Sequence, residues 1–299
     1  MATAASPIPG GLPNQTRVTI RKRLGTVAYS LLVIVVCAIT FFPIYWMIVS
    51  TVQPTSYSTH YPPPLLPKGV RLQAFRDLFE QEAIGSWLIH STVLALLATA
   101  ICVLLAVLGA YTISVMRWRG RSAFAIFLLM TQMLPEALII VPIFKIYANF
   151  PLLHIDLRDN LAGLSLIDAA FVLPIGVWVL KNLFDTVPRE VIEAARVDGA
   201  GPMRVLVEII LPITVPGLIA VGVVAFFYAW NEYLFAQLLV TSKSLYPASV
   251  GLASMKTMLD TPIEQLLAAG LIFAVPPVIF YVVMQRYIVA GITAGAVKG

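Results

Sequence analysis

Charge is scarce in this chain. Only 12% of its 299 residues are Asp, Glu, Lys or Arg, against 59% hydrophobic residues and a mean hydropathy of +0.89. A soluble domain needs a charged surface, so that class is excluded and an integral membrane protein is implied. Histidine and cysteine are as sparse. His60, His90 and His154 have no ligand spacing, which leaves no zinc-type metal site. Cys37 and Cys102 both fall within apolar runs and read as small buried side chains, with neither a disulfide nor a metal pair suggested. The chain also lacks G-x-x-x-x-G-K-S/T, G-x-S-x-G and H-E-x-x-H, the patterns that hold nucleotide phosphates, an acyl-transfer serine or a catalytic zinc.

What is present is a set of runs long enough to cross a bilayer, which takes about 20 mostly apolar residues per helix. They are Ala28–Ile48, Trp87–Val115, Phe124–Tyr147, Leu161–Val179, Ile209–Ala236 and Leu266–Met284. None alternates with the period of a barrel strand, and backbone amides in hydrocarbon need internal partners, so all six are expected to be helices. The fold class is therefore an all-α integral membrane protein with six transmembrane helices.

Orientation follows from lysine and arginine, which concentrate in short cytoplasmic loops. Arg17, Arg21, Lys22 and Arg23, then Arg117, Arg119 and Arg121, Lys181, Arg189, Arg196 and Arg204, and finally Arg286 and Lys298 share one side if the N-terminus is inside. Both termini are then expected in the cytoplasm. The net charge of +5 is explained by this topology, and no nucleic-acid partner is implied.

Four regions follow: a disordered, basic N-terminus over 1–25, a first span with its outer loop over 26–86, a core over 87–290, and a C-terminal tail over 291–299. In the outer loop the Pro62-Pro63-Pro64 run forbids a long helix, whereas Ala74–Ala83 has the apolar spacing of a short surface helix. That loop is either a platform for an extracytoplasmic partner or a solvated connector. The first span is too long for a signal-peptide core and reads as an uncleaved anchor.

The most informative polar stretch is the loop at 183–208. Pro188 suits a helix start, Arg189–Val197 can follow as a short amphipathic helix, and Gly199 and Gly201 permit a sharp reversal before a second short helix, Met203–Glu208. Val191, Ile192, Ala194 and Ala195 offer a low apolar face that a groove on another protein can receive. An inert connector does not need this combination, so docking is the expectation.

The stretch Glu193-Ala194-Ala195-Arg196-Val197-Asp198-Gly199-Ala200, with Ile209-Ile210-Leu211-Pro212 downstream, resembles the signature loop of permease subunits in binding-protein-dependent ABC importers. Ala229–Ala236, the C-terminal Gln285–Gly299, the Arg119-Gly120-Arg121 turn and Thr131–Pro135 are similar to the carbohydrate branch, in particular the smaller permease of the maltose-type heterodimer. The resemblance runs from about Trp87 onward.

It implies a type I ABC importer permease fold. It also implies a second permease subunit, two cytoplasmic ATPase subunits that hold ATP and Mg, an extracytoplasmic sugar-binding protein, and no cofactor bound by this chain. ATPase coupling would fall to Glu193, Ala194, Ala195, Asp198, Gly199 and Ala200, and the C-terminal tail would reach between the ATPases.

Polar groups deep in a bilayer are costly and mark pathways. The substrate-path candidates are Gln132, Glu136, Asp168, Tyr228, Trp230, Asn231 and Glu232, which are hydroxyl-binding or sugar-stacking types. Asn231 and Glu232 are equally suited to holding helices together, and Asp168 matches no part of the family pattern. The competing class is a secondary transporter of a small polar solute, driven by an ion gradient through Glu136, Asp168 or Glu232. It leaves the glycine-hinged loop unexplained.

Overall fold

A computed structural model describes residues 14–54, 64–150, 155–255 and 263–296 of the chain. The chain divides into two compact units, Met1–Arg71 and Leu72–Gly299.

The first unit is built on α1 (Asn14–Val52), which carries the expected first span and has Pro43 within it. Asn14–Gly25 is helical and forms the first turns of α1, where disorder is expected from composition; residues 1–13 lie outside the described residues. Cys37, expected to be buried, is exposed on this helix. After the helix, Arg71 N–H donates to Val52 O (2.6 Å) and Tyr45 Oη to Leu65 O (2.7 Å), which closes the ends of the proline-rich loop onto the helix.

The second unit opens with α2 (Gln73–Gln81), the short helix expected near Ala74–Ala83, which belongs with the larger unit rather than with the first span. Then come α3 (Ile84–Ser114), α4 (Arg121–Thr131), α5 (Glu136–Ala148), α6 (Leu161–Phe184), α7 (Arg189–Val197), α8 (Pro202–Asn231), α9 (Leu234–Leu239), α10 (Ala248–Met255) and α11 (Ile263–Ala296). The last helix passes through the expected tail as far as Ala296, and 297–299 lie outside the described residues.

Among the described residues, five helices are long and apolar enough to cross a membrane. In place of the sixth expected span two helices, α4 and α5, meet at a bend of 100°, the geometry of a broken span or of a re-entrant loop. The cause is local. Pro135, at φ −64° and ψ 128°, cannot continue α4, and the turn before it is closed by i→i+3 bonds, Gln132 N–H to Leu129 O and Met133 N–H to Met130 O.

α3, α6 and α8 pack against one another in pairs and form the centre of the unit. Small residues bring them close, which is how helices associate without a hydrophobic drive between them. Gly176 on α6 is the clearest case: a Cβ there would stand 3.0 Å from Val221 Cγ1 on α8 and 3.2 Å from Ala106 Cβ on α3. Around this contact Cys102, Ala110, Val172, Val177 and Leu180 complete a buried core.

The second short helix expected at Met203–Glu208 does not stand alone. It runs into the fifth span through a π turn at Leu206–Ile210, where Leu211 N–H bonds to Leu206 O. Pro212 explains the turn, since it has no N–H for Glu208 O and its ring would clash there in a regular α-helix.

Candidate functional site

Two places in the larger unit carry the polar residues singled out above. The first is the 183–208 loop. α6 ends at Asp185, whose Oδ2 pairs with Lys181 Nζ (2.7 Å) and whose Oδ1 accepts from Ser114 Oγ (2.5 Å). Partial burial pushes this carboxyl upward, but those two donors, together with the charges of Lys181 and Arg121, outweigh it and hold Asp185 below its ordinary value. Val187 is buried, Pro188 caps α7 in an extended conformation, and Ile192 is 7% exposed in the core beside Val205, Leu206 and Ile210.

The helix is closed by a Schellman motif. Ala200 N–H donates to Ala195 O (2.9 Å), Gly199 N–H to Arg196 O (3.1 Å), and Gly199 takes φ +85°. A Cβ at Gly199 would meet nothing within 4 Å, so glycine is needed there for its backbone and not for space. Tyr111 Oη on α3 donates to Pro202 O (2.8 Å) and pins the chain as it re-enters the bundle.

The face read from sequence as a single apolar patch is in fact divided. Ile192 and Ala195 turn inward, whereas Val191 and Ala194 are exposed. Glu193 and Asp198 are also exposed, and Ala200 packs inward with Ala195. Two apolar residues that sequence reasoning passed over join the outward face: Val197, 87% exposed, and Met203, 63% exposed. Helical spacing from Ala194 points to Val197, at i+3, and was the available signal.

The second place lies among the spans. Tyr228 on α8 donates from Oη to Glu136 Oε1 (2.7 Å) at the start of α5. Its ring stacks on Phe171 of α6 at 6.3 Å, and Phe171 in turn meets Phe235 at 5.1 Å. Gln132, at the bend, donates from Nε2 to Phe171 O (2.7 Å). Gln132, Glu136 and Tyr228 are therefore brought together, with Phe171 between them. Nothing in its apolar surroundings separates Phe171 from a core residue by sequence.

The other path candidates sit differently. Asp168, one turn from Phe171, is 1% exposed, and neither of its oxygens has a hydrogen-bond partner among the described residues. Glu232 caps α9: Oε1 accepts from Phe235 N–H (2.7 Å) and Oε2 from Ala236 N–H (3.0 Å). Trp230 is 1% exposed in an aromatic stack with Phe226 (5.8 Å) and Phe273 (5.3 Å), which places it in the core. Asn231 turns back to its own helix, donating to Phe227 O (2.8 Å). No cluster of three or more His, Cys, Asp or Glu suited to a metal occurs among the described residues.

Residues 102–294, most of the larger unit and the whole of the 183–208 loop, match the family model described as the binding-protein-dependent transport system inner membrane component. The chain belongs to this family. As an inner membrane component it is a transport subunit.

Among relatives of this inner membrane component, the ABC transporter permease protein YcjP of Escherichia coli is 33% identical over 87% of the chain and 92% of its own length. The trehalose transport system permease protein SugB of Mycobacterium tuberculosis is 30% identical over 86% and 92%. The fold is similar to that of a bacterial ABC transporter for import of the acidic polysaccharide alginate, with a TM-score of 0.75 at 21% identity over 89% of this chain and 97% of that one.

Proposed function

We propose that the chain forms half of the membrane pathway of an ATP-driven importer for a sugar, a di- or oligosaccharide. A second permease subunit completes the pathway. Two ATPase subunits supply ATP and Mg on the cytoplasmic side, and a sugar-binding protein delivers substrate from outside. The arginine-rich loops, with both termini, lie in the cytoplasm.

One observation carries this reading: α7 is closed at its C-terminus by the Schellman motif, anchored inward by Ile192, and leaves Val191, Ala194 and Val197 outward. Such a helix can transmit force because it moves with the bundle. Closure of the ATPases around nucleotide draws two loops of this kind together and biases the spans between inward-open and outward-open states. The sugar class rests on the trehalose and alginate systems among its relatives and on the Gln132, Glu136 and Tyr228 cluster, whose groups accept and donate hydroxyl hydrogen bonds.

The test is substrate-stimulated ATP hydrolysis by the reconstituted complex. Val197→Asp is expected to abolish stimulation while membrane insertion and assembly are retained. Normal stimulation and uptake in that variant would refute the reading. Uptake in ATP-free vesicles under an ion gradient would instead support a secondary transporter.

A further inference from the structure

Independent of which substrate is moved, a cavity of about 470 Å³ opens where α3 and α6 end and α4 and α7 begin. Its polar lining is strongly one-sided. Arg117, Arg121, Lys181, Arg189 and Arg196 face it against only Asp185 and Glu193. Lys181 and Asp185 satisfy each other, and among the described residues none of the four arginines is in an ion pair. The first turns of α4 and α7 also reach the cavity, and neither helix has a side-chain cap on its N-terminal amides. Guanidinium forks beside uncapped amides form a setting for a phosphate oxygen.

Apolar side chains complete the lining, among them Ile113, Ala125, Ile126 and Trp178. A free phosphate has no use for such side chains, but an acyl chain does. Trp178, which lines the cavity with Lys181 Nζ 5.4 Å from its ring centroid, and the nearby exposed Trp118 are the residue type that settles at headgroup depth. We propose that this cavity binds one anionic phospholipid, its phosphate held by Arg117, Arg121 and Arg189 and its proximal chain laid on Ile113, Ala125 and Ile126. Bound there, the lipid would bridge α4 to α7 and link the lipid composition of the membrane to the base of the 183–208 loop.

The experiment titrates the purified full chain with short-chain phosphatidylglycerol and counts bound lipid by native mass spectrometry, with phosphatidylcholine and inorganic phosphate as the other arms. The double variant Arg117→Gln, Arg189→Gln is expected to weaken phosphatidylglycerol binding about thirtyfold, taking each surface cation near a lipid headgroup at its ordinary strength. The control double variant Arg119→Gln, Arg204→Gln removes the same charge outside the cavity and is expected to bind as the parent does.

Equal weakening in both variants would mean diffuse attraction and would overturn the proposal. So would competition by inorganic phosphate at the same concentrations as lipid, or phosphatidylcholine bound as tightly as phosphatidylglycerol. Unchanged lipid binding in the cavity variant together with lost ATPase association would assign the arginines to an acidic protein surface instead. Helical content equal to the parent's confirms that each variant has folded.

Discussion

Tyr228 Oη lies 2.7 Å from Glu136 Oε1, and this hydrogen bond joins residues 92 positions apart. It fastens the start of α5 to α8, immediately beyond the 100° bend. A pair in that position ties the elbow to the central bundle.

Tyr228→Phe is therefore expected to cost about 1 kcal/mol of stability, the net worth of one such bond, and to slow uptake with assembly unchanged. Thermal unfolding in detergent and sugar uptake in proteoliposomes check the two parts. A variant with lowered stability and parental uptake kinetics would return the pair to a purely structural role.

Gly199→Ala places a Cβ at φ +85° and is expected to cost about 1 kcal/mol through backbone strain alone, since no neighbour is struck. Gly199→Asn is expected to cost less, because asparagine tolerates the left-handed region. The order Gly, Asn, Ala in melting temperature, with coupled ATP hydrolysis following the same order, supports the Schellman closure as the feature that holds the loop in shape.

Inward and outward residues of α7 are expected to fail in different ways. Ile192→Ala removes a buried side chain and is expected to destabilise the chain by about 3 kcal/mol. Ala194→Arg, on the exposed face, is expected to leave unfolding within about 0.5 kcal/mol of the parent and to uncouple ATP hydrolysis from transport. Equal melting losses in the two variants would contradict the division of the helix into an anchoring face and a docking face.

Asp159, at φ +48°, closes two loops by accepting from Thr241 Oγ1 (2.6 Å), Thr241 N–H (2.7 Å) and Ser242 N–H (2.8 Å). The Thr241 hydroxyl and the two amides hold its carboxyl below the usual carboxylate range, against a smaller upward push from burial. A lowered folded value means that this stabilisation is fully present above the unfolded value of about 3.9 and is lost as pH falls through the folded one. Protection of the Thr241 and Ser242 amides against hydrogen exchange should hold at neutral pH and collapse in that acid window. The Asp159→Asn variant should show no such step.

Much of this was legible in the sequence, for physical reasons that differ by element. The spans declare themselves because the bilayer imposes their length and composition. α7 was readable to the residue, Arg189–Val197, because a proline start and a glycine at positive φ are requirements of backbone geometry. Hydropathy, in contrast, reports composition and not direction, so Phe124–Tyr147 reads as a single span although Pro135 breaks it. The merger of Met203–Glu208 with α8 was hidden because a π turn has no compositional mark beyond Pro212.

Roles within the bilayer were the least readable. Trp230 and Tyr228 are two residues apart and both aromatic, yet one is enclosed by Phe226 and Phe273 and the other reaches Glu136. Glu232 carries a charge that suggests a pathway, and nothing in the sequence shows that its oxygens accept from the amides of α9. Only tertiary packing separates these cases.

The central claim is that α7 passes force from separate ATPase subunits to the spans. The most direct measurement places a photo-crosslinking amino acid at Val197, the most exposed apolar residue of that helix, and irradiates the assembled complex during turnover. The account predicts a covalent adduct with an ATPase subunit whose yield changes between nucleotide-free and ATP-bound states. Adducts with lipid or with this chain alone, in every state, would contradict it.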